Sequence, residues 1–165
     1  MTQKARVGDV FLVPIDHSRF GIGQIAGDWN GELYIIIYDT IYGSDDVDPV
    51  SVLYGRPLFA ALSLDAKIHC GDWQIIGNVK DNLDQIPQPT FKVNQGAQVF
   101  LETRDRSVTR RASDSESRDL RLRTVVAPVR IENALKAWQG IGDWNSKYDE
   151  LRADYAFESS RLIAD

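Results

Sequence analysis

Three short apolar segments separated by turn residues open the chain and strongly limit what it can fold into. The segments are residues 8–15, 19–25 and 33–39, and turn-forming residues occupy 16–18 and 27–32 between them. Strand-length apolar runs bounded by such turns are typical of antiparallel strands joined by hairpins. The sequence therefore predicts a three-stranded meander at the start of a β-rich half.

Further strand signals follow the meander. Residues 73–78 form an apolar segment after a Gly-Asp turn, and residues 91–93 and 98–102 predict shorter strands. Residues 66–70 alternate in polarity as a strand does, whereas residues 58–62 are compatible with either a strand or a short helix. The strand signals thus extend to residue 102.

The apolar spacing becomes helical after Pro128, a residue that can occupy a first helical turn. A first helix is predicted to end near Gly140, and a second to begin with Asp143 as its N-cap. The apolar face of the first consists of Ile131, Ala134, Leu135 and Trp138. That of the second consists of Trp144, Tyr148, Leu151, Tyr155 and Leu162.

Strands followed by helices in a chain of 165 residues favour a single α+β domain spanning residues 1–165. We predict an antiparallel β-sheet or a partly open β-barrel, starting with the meander, with two C-terminal helices packed on it. Residues 104–119 are rich in Arg, Ser and Asp and hold too few apolar side chains to offset their ordering entropy. This segment is predicted to be a mobile loop, or an exposed hairpin that continues into residues 120–123.

The net charge of −5 is unevenly distributed. Residues 1–99 hold seven Lys or Arg against twelve Asp or Glu, whereas residues 100–124 hold seven Arg against five acidic residues. The acidic β-rich half repels nucleic acid over most of its surface and suits a basic protein partner better.

No arrangement of residues in the sequence points to catalysis, a metal or a cofactor. His69 and Cys70 are adjacent, but neighbouring strand residues face opposite sides, so no thiol–imidazole pair is expected. The acidic segment at Asp45 departs from a calcium-binding loop because Pro49 and Arg56 stand where that pattern needs other residues. We therefore expect no enzyme; a hydrolase or thiol enzyme built on Cys70 is the weakest alternative.

The sequence also bears on localisation. No segment approaches the ~20 apolar residues of a membrane helix, and residues 1–6 lead directly into the first strand without a signal-peptide core. The single cysteine excludes an internal disulfide. A cytoplasmic protein is expected.

Two segments carry a family resemblance. The first is Gly8-Asp9-Val10-Phe11 with Pro14 and residues 20–25, and the second is residues 73–78 followed by Pro89-Thr90-Phe91-Lys92. Together, over about residues 7–93, they resemble immunity protein 26, a family of bacterial polymorphic toxin systems. The resemblance implies a cytoplasmic protein that binds a cognate toxin domain, such as a basic nuclease, and protects the producing cell.

Two surfaces are the predicted contacts with such a partner, because exposed aromatic side chains beside carboxylates make good anchors. The alternative for Trp29 is that its ring folds back onto the sheet. The predicted contact residues are Asp28, Trp29 and Glu32 at a hairpin tip, and Asp45, Asp46 and Asp48 in an acidic loop.

A different class of function stays open at this point. A nucleic-acid-binding small β-barrel would use the arginine-rich residues 104–123 as a phosphate-contacting arm, although acidic residues in the same segment argue against it. The arginines concerned are Arg104, Arg106, Arg110, Arg111, Arg118, Arg121 and Arg123.

Overall fold

The computed structural model describes residues 3–161. Its larger sheet is antiparallel, has five strands in the order β4-β3-β2-β1-β5 and does not close into a barrel. The predicted α+β class and the meander are therefore confirmed, as an open sheet. The strands of this sheet are β1 (Asp9–Pro14), β2 (Phe20–Trp29), β3 (Glu32–Tyr42), β4 (Pro57–Ser63) and β5 (Gln74–Asn78).

Both faces of this sheet are buried, which explains why β3 is apolar along its whole centre. Leu33, Ile35 and Ile37 pack on one face, whereas Tyr34 and Ile36 pack on the other. Helix α3 (Pro128–Trp138) contributes Ile131, Ala134 and Leu135 to the first face. Helix α4 (Ala153–Arg161) contributes Ala153, Ala156 and Phe157 to the second.

Two glycines of β2 make room for large side chains. A Cβ at Gly21 would lie 2.5 Å from the Leu135 side chain of α3, and one at Gly23 would lie 2.5 Å from the Phe11 ring. Phe11 in turn stacks on the fully buried Trp73, with ring centroids 5.2 Å apart. The two glycines of the Gly-Ile-Gly segment therefore allow large side chains to pack closely against the sheet.

The segments before the second sheet correct one expectation. Residues 66–70 are not a strand: helix α1 (Ala66–His69) occupies them, since four alternating residues are too few to separate a period of two from a helical period. Residues 58–62 are the centre of β4, which settles the alternative left open by the sequence. Single-turn 3-10 helices occur at Pro49–Leu53 and Leu83–Gln85.

A second sheet of three antiparallel strands lies beyond, formed by β6 (Thr90–Gln95), β7 (Gln98–Thr103) and β8 (Thr109–Arg111). Of the mobile loop and the exposed hairpin predicted for residues 104–119, the chain forms the hairpin, from β7 to β8, and then the unpredicted helix α2 (Asp114–Asp119). Polar contacts hold this helix, because Ser113 and Glu116 cap each other and Arg110 bonds both Glu116 oxygens at 2.9 and 2.7 Å. The sequence prediction for this segment is based on its few apolar residues, and such a count does not detect polar contacts of this kind.

The second C-terminal helix also differs from its prediction. A 3-10 helix over Ser146–Leu151 precedes α4, and its N-cap is Asn145, whose side chain accepts from the Lys147 amide; Asp143 is not the cap. The break follows from Arg152, whose extended backbone bridges to Phe59 in β4. Leu162 lies outside the described residues.

The outer edge of β4 is partly covered by the C-terminal third of the chain. The Val126 amide donates to the Leu62 carbonyl at 2.9 Å, and the Ser63 hydroxyl donates to the Val126 carbonyl at 2.7 Å. Together with the Phe59–Arg152 bridge, these bonds occupy positions near both ends of the strand.

Candidate partner-binding surface

The predicted acidic loop follows β3 and is exposed. Asp45, Asp46 and Asp48 all face solvent, and none forms a salt bridge with any residue from 3 to 161. Asp48 has a structural role as well, because its carboxylate accepts from the Val50 amide at 3.0 Å and caps the 3-10 helix over Pro49–Leu53. The other two carboxylates are available to a partner.

Tyr54 stands at the other end of that 3-10 helix and is 87% exposed. A five-residue 3-10 helix is about 10 Å long, so the phenol and the acidic loop belong to one surface. Residues 39–55 carry four aspartates and no basic residue. Sequence analysis missed Tyr54, since nothing in Leu-Tyr-Gly distinguishes an exposed tyrosine from a buried one. We call Asp45, Asp46, Asp48 and Tyr54 the acidic patch.

The hairpin tip between β2 and β3 is a separate site. It lies at the opposite end of β3, and the 11 residues of that strand span about 35 Å, so the structure does not bring the two predicted contact groups together. Asp28 is exposed and accepts from the Gly31 amide at 2.9 Å, which closes a turn through Asn30 at φ 50°.

Trp29 and Glu32 at this tip are engaged inside the molecule. The Arg106 guanidinium lies over the Trp29 indole, with Cζ 4.1 Å from the ring centroid. Glu32 pairs with Arg106 at 3.2 Å and with Arg123 at 3.0 Å. The β7–β8 hairpin thus covers the Trp29 ring through Arg106, and the Glu32 charge is neutralised within the chain.

The arginine-rich segment is similarly used in internal contacts. Glu102 shares Arg106 and Arg123 with Glu32 at 2.9 and 3.1 Å, and Arg110 is paired with Glu116. Because most of these charges are already neutralised, the segment does not present the free basic stripe that phosphate binding needs. The remaining arginines are Arg104, bonded to Gln88; Arg118, paired with Asp119; Arg111, which is exposed; and Arg121, which stacks on Tyr155.

The geometry gives no support to the alternatives of a thiol enzyme at Cys70 or a metal site. Cys70 is exposed at the end of α1, where its thiol donates to the Lys67 carbonyl. Within the described part of the chain, no cluster of three or more His, Cys, Asp or Glu is placed to hold a metal ion. Among residues 3–161, none of the helices has the length and apolar character needed to cross a membrane.

A comparison with protein-family models decides the family. The model described as immunity protein 26 matches residues 6–99, which is more than half of the chain. The chain belongs to the immunity protein 26 family. This confirms the resemblance stated from the sequence, and membership points to a toxin as partner and to a non-enzymatic role. No curated protein and no solved structure matches the chain.

The immunity protein 26 region covers β1 to β6 and the start of β7. It therefore contains the acidic patch and the hairpin tip, together with both glycines that receive Leu135 and Phe11. The arginine-rich hairpin, α2, α3 and α4 lie outside it. Both predicted contact groups are thus part of the family region, whereas the arginine-rich segment, residues 104–123, lies entirely outside it.

Proposed function

We propose that this immunity protein binds a cognate toxin domain by direct contact through the acidic patch and thereby protects the cell that produces both proteins. The toxin would be neutralised in the cytoplasm, without chemistry at the immunity protein. The exposed Asp28 at the hairpin tip is a second proposed contact, whereas Trp29 and Glu32 serve mainly to join the two sheets.

One observation carries this proposal: Tyr54 is 87% exposed in the same surface as Asp45 and Asp46, whose carboxylates form no salt bridge with any residue from 3 to 161. Tyrosine offers a large contact area at a low cost in conformational entropy, and it is enriched among the residues that dominate binding energy. An aromatic ring left in water beside free acidic groups is best explained by a partner that covers the ring and pairs the acids.

Charge indicates the kind of toxin. Residues 1–99 hold twelve acidic against seven basic residues, and the acidic patch concentrates three aspartates in a segment, residues 39–55, that has no basic residue. Opposite charge on a partner raises association rates and disfavours wrong partners. We therefore propose a basic toxin domain, such as a nuclease whose own surface binds phosphates.

A protection assay tests the function as a whole. The chain is co-expressed with the product of the neighbouring upstream gene, and survival is compared with that of cells making the toxin alone. Rescue together with a co-purifying complex supports the proposal. A demonstrably toxic neighbour that is neither bound nor neutralised contradicts it.

Matched variants then test the surface. Asp45→Asn with Asp46→Asn is compared with Asp143→Asn with Asp154→Asn, which removes the same charge from exposed positions in the C-terminal third. The first pair is expected to slow association at least ~10-fold at low salt, with less effect at high salt, whereas the control pair changes it little. If both pairs slowed association equally, the net charge of the protein rather than the acidic patch would be responsible for the rate.

Tyr54→Ala isolates the aromatic contact. Because the ring is exposed, the change is expected to leave the melting temperature unaltered and to weaken toxin binding at least ~10-fold, mostly through faster dissociation. Unaltered affinity would exclude Tyr54 as an anchor.

A further inference from the structure

A cavity of about 210 Å³ opens where α4 and the preceding 3-10 helix meet β4 and the segment 119–126. Apolar side chains form most of its wall, among them Leu62, Phe91, Val126 and Ala156. It is smaller than pockets that hold drug-sized ligands and large enough for a small organic molecule. It shares no residue with the acidic patch.

Arg121 lines this cavity and forms no salt bridge with any residue in the described part of the chain. Its guanidinium stacks on the Tyr155 ring, with Cζ 3.5 Å from the centroid. Nε and Nη2 are enclosed, and the Arg121 side chain makes no hydrogen bond with any residue from 3 to 161. Nη1 also lacks a hydrogen-bond partner but is not enclosed, so it is the nitrogen that a ligand can reach. Burial lowers the pKa of Arg121 to about 10, as expected for a charge that is poorly compensated.

Two hydroxyl groups on the same wall are also unsatisfied. The Tyr34 and Thr90 side chains belong to residues that are only 1% exposed, and neither hydroxyl has a hydrogen-bond partner in the described part of the chain. Buried polar groups without partners are rare in native proteins because each retains its desolvation cost. Of these three polar side chains around the cavity, Arg121 is the one that also presents an accessible nitrogen, Nη1, to a ligand.

We propose that this cavity is a binding site for a small organic acid, with its carboxylate beside Arg121 and its apolar body along Leu62, Phe91 and Ala156. A carboxylate offers the acceptor that the accessible Nη1 of a guanidinium requires. The mostly apolar wall favours an aliphatic or aromatic body. This site is independent of toxin binding through the acidic patch.

The charged groups around the cavity favour a single negative charge on the ligand. Arg121, Arg130 and Lys147 line it together with Asp119, Glu150 and Glu158. A phosphate or nucleotide would meet three carboxylates that repel it, and only Arg121 contributes an enclosed, unpaired charge. Glu150 acts on Arg121 electrostatically without pairing with it, so it competes with a bound anion.

The test is a titration of the full chain with sodium hexanoate, followed by amide NMR, with hexanol and inorganic phosphate in parallel. Hexanoate is expected to bind with a Kd of about 1 mM or below and to shift the amide signals of Thr90 and Leu122. It is expected to bind at least ~10-fold more tightly than hexanol or phosphate. No shift at about 20 mM hexanoate, or equal binding of hexanol, overturns the proposal. If phosphate bound more tightly than hexanoate, the site would prefer an inorganic anion to an organic acid, and this result would also overturn the proposal.

Variants identify the residue responsible. Arg121→Gln is expected to weaken hexanoate binding at least ~10-fold, whereas Arg111→Gln, at an exposed arginine of β8, leaves it unchanged. Glu150→Gln changes an exposed side chain and is expected to strengthen binding about 2- to 3-fold, which keeps the proposal testable if Arg121→Gln fails to fold. A folded Arg121→Gln that binds hexanoate as tightly as the parent would refute the site, and so would unchanged affinity in Glu150→Gln.

Discussion

The Arg106 guanidinium covers the Trp29 indole at 4.1 Å from the ring centroid, and this contact joins the two sheets. Trp29 ends β2 of the large sheet, whereas Arg106 lies in the β7–β8 hairpin of the small one. Arg106 also pairs with Glu32 of β3 and Glu102 of β7. A tryptophan that resembled an exposed anchor in the sequence is therefore part of an internal junction.

Trp29→Ala should therefore act on stability. Loss of the cation–π contact and of half-buried ring area is expected to lower the free energy of unfolding by about 1–2 kcal/mol and to leave toxin affinity within about 2-fold. Urea unfolding and a binding titration measure the two effects. Weakened toxin binding with unchanged stability would restore Trp29 as a contact.

Gly23→Ala tests how closely the sheet is packed. The added Cβ would lie 2.5 Å from the Phe11 ring and 2.9 Å from Ile37, so the stacked Phe11–Trp73 pair must move, at about 1–3 kcal/mol of stability. Gly43→Ala is the control, because nothing lies within 4 Å of a Cβ at that position. Similar unfolding midpoints for the two variants would disprove this account of the glycine.

Two buried tyrosines on the same strand provide a matched pair. The Tyr38 hydroxyl donates to Gln24 at 2.7 Å and accepts from Asn82 at 3.0 Å, whereas the Tyr34 hydroxyl has no partner among residues 3–161. Tyr38→Phe is expected to cost about 1–2 kcal/mol and Tyr34→Phe to be neutral or stabilising. Thermal unfolding without added organic acid distinguishes them, and an equal loss in both contradicts the bonding described.

The pH dependence of α2 follows from Glu116. Hydrogen bonds from Arg110 lower the pKa of this buried carboxyl to about 2. The folded-state pKa is therefore below the ordinary value of about 4.3, so the resulting stabilisation is present above that value and is lost as pH falls towards 2. Hydrogen exchange of residues 114–119 should accelerate over this range in the parent and not in Glu116→Gln. Ser113→Ala should cost about 1 kcal/mol throughout, because its hydroxyl does not titrate there.

Sequence patterns predicted most strands well because each is short, apolar and bounded by turns, as Gly31 between β2 and β3 illustrates. They failed where a distant contact decides the local structure. Arg152 interrupts the last helix since it bridges to Phe59, more than 90 residues away. Glu116 orders a polar segment by pairing with Arg110. The exposure of Tyr54 could not be read from its neighbours.

The covered edge of β4 also determines how a partner can bind. A foreign strand extends a sheet by pairing with free amides and carbonyls along an edge. At β4, Leu62 and Phe59 already pair with Val126 and Arg152, so a toxin segment cannot be added there unless the C-terminal third detaches. Recognition on that side must depend on side chains, and within the larger sheet backbone-templated addition of a strand is left to the short β5 edge.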